Sequence, residues 1–241
     1  MSRCTVALLA SALLATGCGV TGCGGEATPR ASTSETPGHP PETGAYPGEA
    51  SHSPVPRASG PPVRLEGWEV TVYYTAVETL HTGQATTVTG CPSIDCDKDR
   101  DRQRLGSFPA SFVKAVKDEG TGRTADGRYL NWSYDTGYWM DTAPRDTAGR
   151  PLRPWSSAAA DGAALGAGTQ FTILHCGTAE VAAEVCAKLK TPTWTIVDEF
   201  TPGLGGERHV DVYIGEETGP DFTGSDLYTT LENATLSAIR A

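Results

Sequence analysis

The chain lacks several features that would assign its class at once. Its longest apolar run, Val6 to Ala15, falls short of the about 20 residues that a membrane-spanning helix needs, and no later segment is as apolar. Basic residues are scarce: 19 Lys and Arg stand against 29 Asp and Glu, for a formal net charge of −10. They form no stripe and no cluster alternating with aromatics, so no nucleic-acid partner is expected. The 5 histidines provide no pair at ligand spacing, and the cysteine spacings match no zinc-finger pattern. Neither a Gly-x-Ser-x-Gly elbow nor a phosphate-binding loop is present. Asp95-Cys96-Asp97-Lys98-Asp99-Arg100-Asp101 alternates acids as a calcium loop does. It lacks the glycine at the sixth position and the closing glutamate, and reads as a solvated loop. No metal and no cofactor are expected.

The N-terminus has the form of an export signal. Arg3 precedes the apolar run, whose length suits a signal core. The run ends in Ala15-Thr16-Gly17-Cys18, followed by Val20-Thr21-Gly22-Cys23. A small residue before a cysteine resembles the lipobox of bacterial lipoproteins, in which the cysteine becomes the lipidated N-terminus. Cys18 follows the stronger run and Cys23 sits in the better-matching tetrapeptide, so both are lipidation candidates. Residues 1–23 are thus read as signal with lipobox. Residues 24–63, rich in Pro, Gly, Ser and Thr, cannot bury enough apolar surface to offset their ordering entropy and form a linker. Residues 64–241 fit one domain of ordinary size. The product is exported and held at the membrane by a lipid or in the wall.

Cys91, Cys96, Cys176 and Cys186 remain for the domain. An even count in an exported domain points to disulfides. Of three connectivities, the local pairing Cys91–Cys96 and Cys176–Cys186 is the simplest. Trp68 to Val77 is rich in β-branched and aromatic residues and reads as a strand. So do Asn131 to Tyr134, Thr169 to Leu174, Trp194 to Val197 and His209 to Ile214. Phe108 to Lys117 has near-helical apolar spacing and ends at Gly120. Ala179 to Leu189 reads as a short helix, and Asp226 to Ile239 as a C-terminal helix. Short strands broken by Gly and Pro favour a small β-barrel.

Three aspartates stand at strand ends or turns. They lie in Ala159-Ala160-Asp161 with Gly168-Thr169 following, in Trp194-Thr195-Ile196-Val197-Asp198 before Gly203-Leu204-Gly205-Gly206, and in Val210-Asp211-Val212-Tyr213-Ile214-Gly215. In this order they resemble the three-aspartate (3D) domain family, found in membrane-bound lytic transglycosylase A and in Gram-positive wall-remodelling proteins. Val72-Tyr73-Tyr74-Thr75-Ala76 resembles that family's opening strand. The resemblance implies a mainly β fold: a six-stranded double-psi β-barrel, here with short helices and disulfide-stapled insertions. Two departures stand out. Glu199-Phe200 replaces the usual small residue and glycine after the second aspartate, and the Asp161–Asp198 gap is longer than usual.

The same resemblance implies a secreted lytic transglycosylase acting on peptidoglycan glycan strands at the MurNAc-GlcNAc bond, with Asp211 as acid/base and Asp198 and Asp161 as its catalytic companions. The chemistry fits the residue type. A lone aspartate is ionised at neutral pH, but carboxylates crowded in one cleft repel, so one keeps its proton. Glu207 and His209, spaced by two from Asp211, would share its strand face, and Trp132 and Tyr138 are candidates for a sugar-binding groove. Two alternatives remain open: a non-catalytic wall-binding lipoprotein on the same barrel, and an interaction module whose aspartates form turns. The enzyme reading requires the three carboxylates to meet in one cleft.

Overall fold

The computed structural model describes residues 55–241. The signal, the lipidation candidates Cys18 and Cys23, and most of the linker lie outside the described residues.

β1 (Val63–Val77) carries the barrel's longest strand pattern, and its alternation sends Val70, Val72 and Tyr74 into the core while Thr71 and Tyr73 face away. A hairpin follows, β2 (Ala85–Gly90) and β3 (Gln103–Pro109), joined by a charged loop. Next come α1 (Ala110–Glu119), β4 (Thr121–Arg123), β5 (Tyr129–Ser133) and β6 (Gly137–Asp141). The helix starts two residues later than Phe108, because Phe108 and Pro109 are the last residues of β3. It stops at Gly120, whose φ of 85° is open to glycine and lets its N–H cap the Val116 carbonyl. The second half contains β7 (Ser157–Ala160), β8 (Gln170–His175), α2 (Ala183–Lys190), β9 (Trp194–Asp198), β10 (His209–Glu216) and β11 (Leu231–Ile239).

Six of these strands close on themselves in the order β10-β7-β9-β8-β11-β1, and β1 pairs back to β10. β1–β10 and β7–β9 are parallel, and the other four pairings are antiparallel. Closure removes the unpaired edges that an open sheet of this size would expose. The fold is thus the mainly β, six-stranded double-psi barrel implied above. Val70, Val72, Ala158, Ala160, Ile196, Val210 and Val212 fill its interior. β7 is almost wholly alanine and wholly buried, so neighbouring strands pack close over it.

The C-terminal segment departs from expectation. Leu231–Ile239 is a strand, not a helix, and bridges β1 and β8. Its place decides its form: a helix there would leave the facing backbone groups of both strands without partners. Beyond the barrel, the end of β1 continues into a second sheet through the parallel pair Ala76–Gly122, and β4, β5 and β6 form an antiparallel meander beside α1.

Both local disulfides are present, Cys91–Cys96 and Cys176–Cys186. The second ties the end of β8 to α2, whose Leu189 is fully buried. Replacing Cys176 and Cys186 together by alanine is expected to lower stability by about 2–3 kcal/mol, the loop-closure contribution for a ring of this size. Calorimetry checks this, and an unchanged unfolding midpoint would mean that packing alone holds α2.

Candidate active site

Strand register assembles the site. Thr71 of β1 stands opposite Asp211 of β10, Asp211 opposite Ala159 of β7, and Ala159 opposite Asp198 of β9. This row crosses four strands on the face that turns away from the barrel core. The alternation of β10 explains it: Val210 and Val212 point inward, so Asp211 and His209 must point out. Ala159 separates the two aspartates with a single methyl group and leaves the floor between them low.

That row forms the floor of a cleft of about 310 Å³. The opposite wall comes from the inserted unit: Lys117, Asp118 and Glu119 at the end of α1, with Trp132 and Ser133 of β5. Tyr228 and the 198–204 loop close its ends. Lys117 Nζ lies 5.8 Å from the centre of the Trp132 ring on this wall.

Asp211 is the most unusual group in the cleft. Burial, with the nearby Asp198 charge adding to it, pushes its carboxyl up to about 7, and a hydrogen bond from Thr71 opposes the rise. Its Oδ1 is buried and has no partner among the described residues. Thr71 Oγ1 also lies 2.8 Å from His209 Nε2. Thr71 thus links imidazole to carboxyl, and the His209 ring is backed by Phe200 at 4.5 Å between centroids.

Asp198 is held firmly. Its Oδ1 accepts from the N–H of Thr147 and of Glu199, each at 2.9 Å. Burial and the charge of Asp146 push its carboxyl up to about 6. Asp146 is itself paired to Arg150 Nε at 2.7 Å, and Arg150 also donates to the Val197 carbonyl. This buried ion pair pins the 145–150 loop under the second aspartate.

Three of the expected site residues lie elsewhere. Asp161 and Glu207 line a separate hollow with Trp68, Arg64, Arg208 and Arg240. Asp161 follows the last residue of β7, its carbonyl accepts from the N–H groups of Ala164 and Leu165, and its carboxylate packs against Gly205. Ala159 and not Asp161 sits beside Asp211, so the first aspartate of the motif does not reach the cleft. Glu207 lies in a turn before β10 begins, so the two-residue spacing to His209 does not carry it onto the strand face. Tyr138 is drawn toward α1, where its hydroxyl donates to the Val113 carbonyl at 3.1 Å. Trp132 does line the cleft, as does His209.

In place of Asp161, the cleft has a carboxyl that the motif does not contain. Glu119 sits half-buried at the last turn of α1, with Oε1 accepting from the Tyr228 hydroxyl at 3.1 Å and Oε2 from the Tyr74 N–H at 3.4 Å. Burial, then the charge of Asp211, pushes it up to about 8. Tyr73 completes the floor. It is 6% exposed, and its hydroxyl has no partner among the described residues. Burial and the charges of Asp198 and Asp211 hold that phenol well above its ordinary range. The cleft therefore offers three carboxyls raised toward neutral pH, Asp198, Asp211 and Glu119, and an unpaired phenol to whatever enters.

Solved structures that it resembles include lytic transglycosylases. MltA of Escherichia coli with bound chitohexaose superposes with a TM-score of 0.44 at 12% identity, over 74% of this chain and 72% of that one. The membrane-bound lytic murein transglycosylase of Agrobacterium tumefaciens gives 0.43 at 12% identity, over 75% and 77%. MltA of Neisseria gonorrhoeae gives 0.41 at 11% identity, over 71% and 72%. No family model and no curated protein matches the chain.

Proposed function

We propose that this is an exported, wall-remodelling enzyme of the lytic transglycosylase type, which cleaves the MurNAc-GlcNAc bond of peptidoglycan with Asp211 as acid/base. The observation that carries the reading is the Asp211 carboxyl itself, sunk in an open cleft with one oxygen free and titrating close to neutral pH. Such a group is poised both to give and to take a proton. It protonates the glycosidic oxygen as the bond to C1 breaks. It then accepts the proton of the same sugar's 6-hydroxyl, whose oxygen closes on C1 to give a 1,6-anhydro end. Water takes no part, unlike the reactions of the two-carboxylate hydrolases.

Asp198 keeps negative charge near the developing positive charge at C1 and helps hold the Asp211 proton. Trp132 supplies an aromatic face for a sugar ring, and His209 orients Thr71 against Asp211. Glycan strands are thus the partner, and no cofactor enters the reaction. In the full chain, residues 1–23 direct export and supply the lipid anchor at Cys18 or Cys23. Residues 24–63 are the tether, and residues 64–241 are the catalytic domain.

Incubation with purified wall, followed by mass spectrometry of released fragments, is expected to give products ending in 1,6-anhydro sugars. Retention on the wall without such products would overturn the enzyme reading and leave a wall-binding protein.

A further inference from the structure

The first aspartate of the motif lies outside the cleft, in a hollow of about 490 Å³ at the end of the barrel where the chain enters β1. Arg64 and Trp68 reach this hollow from β1, and Arg240 from just past β11. Asp161 reaches it from just past β7, and Glu207 and Arg208 from the turn before β10.

Two glycines make room for the charged groups. The Asp161 carboxylate lies against Gly205, where any side chain would collide with it. Arg208 Nη1 lies 3.2 Å from the point at which a Cβ would stand on Gly67, so the guanidinium rests over β1 at a residue with no side chain. Arg64 is paired to Glu66 at 2.9 Å. Arg208, Arg240, Asp161 and Glu207 form no ion pair among the described residues. Two guanidiniums and two carboxylates thus line one space without neutralising each other. Their charges cancel in sum, so a polyanion gains little there, whereas a ligand bearing both signs can meet both.

We infer that this hollow is a binding site for a short peptide with a free carboxylate and a free amine, the kind of branch that the MurNAc residues of peptidoglycan bear. This deepens the lytic transglycosylase reading and rests on it for the source of the peptide. Arg208 and Arg240 take the carboxylate, which their planar forks suit. Asp161 and Glu207 take the amine.

The hollow and the cleft are connected along β1. A shallow depression shares Arg208 with the hollow and His209 with the cleft, and Gly67 and Glu69 line it. Glu69 stands opposite His209 in the β1–β10 ladder. From Glu69 back to Leu65, which lines the hollow, the strand runs four residues. That is about 13 Å, a length that an extended tetrapeptide spans. A glycan seated beside Asp211 can therefore lay its branch over Gly67 and deliver both charges to the hollow.

Calorimetric titration of the full chain with N-acetyl-alanyl-γ-glutamyl-lysyl-alanine tests this. Wild type is expected to bind it saturably. Arg240 and Glu207 are exposed, so Arg240→Gln and Glu207→Gln should keep the wild-type circular dichroism spectrum. Each is expected to weaken binding about tenfold, the loss of one charge-assisted contact. With the lysine of the peptide acetylated, Glu207→Gln should bind as wild type does, because the charge that Glu207 meets is already gone. No saturable binding, or unchanged affinity in both variants, would overturn the site. So would arginine-dependent binding to phosphatidylglycerol vesicles without peptide binding, which would make the hollow a lipid-headgroup site. Wild type that releases anhydro ends from wall but ignores the peptide sinks this inference alone. Wild type that binds the peptide but releases no anhydro ends sinks the catalytic reading and leaves the peptide site standing.

Discussion

Asp211→Asn is expected to lower the release of 1,6-anhydro products from purified wall by about 10²–10⁴-fold, the usual contribution of a positioned acid/base group. Asparagine is nearly isosteric with aspartate and can still accept from Thr71. The variant should therefore fold with an unchanged circular dichroism spectrum. It cannot deliver or receive a proton at the reacting oxygen, and that is the property removed. Retention of more than about a tenth of wild-type release would show that another group carries the chemistry. A parallel binding measurement separates the causes. Binding to wall should persist, since Trp132 and the remaining cleft residues are untouched.

The same substitution should make the folded state more stable at alkaline pH. Asp211 titrates at about 7 when folded and near 3.8 in an ordinary environment, and Glu119 moves from 4.5 to about 8. Both shifts are upward, so between about pH 4 and pH 8 the folded chain binds more protons than the unfolded one. Stability then falls as pH rises through that window and levels off above it. The Asp211 share is at most about 4 kcal/mol. Unfolding midpoints by denaturant at pH 5 and pH 8 test this. Wild type should lose stability toward pH 8, and Asp211→Asn should lose distinctly less. Identical pH slopes would mean that Asp211 is not the raised group. A fold that stabilises on losing this carboxyl has given up stability to keep it in place, as functional sites commonly do.

The barrel strands were legible because their chemistry is local. Val210-Asp211-Val212-Tyr213 alternates in the manner of a half-buried strand, and it forms β10 with the aspartate on the outer face. β11 was not legible. Asn233 adopts a φ of 56°, and the β1–β11 register slips on both sides of Trp68, so the two-residue alternation is broken where a reader would look for it. Glu119 was hidden for a different reason. Along the chain it is only the polar tail of a helix. What makes it a site residue is the packing of α1 against β1, which no spacing within the helix encodes. Asp161 shows the converse. Its motif position was readable, but the β7–β10 register places Ala159 beside Asp211 and turns the chain away before Asp161 can reach the cleft.

β1 serves both sheets without interruption. Its first part hydrogen-bonds to β10 and β11 of the barrel, and its last residues pair with β4 of the inserted unit. The two walls of the cleft are therefore branches from one strand, whose register against β10 shifts between Tyr73 and Thr75, just before it joins the second sheet. On the reading proposed above, a glycan would meet two walls whose parting is opposed by the ladder at Ala76 and Val77. Lengthwise entry into such a slot would favour chain ends and slack stretches of polymer over taut, cross-linked ones.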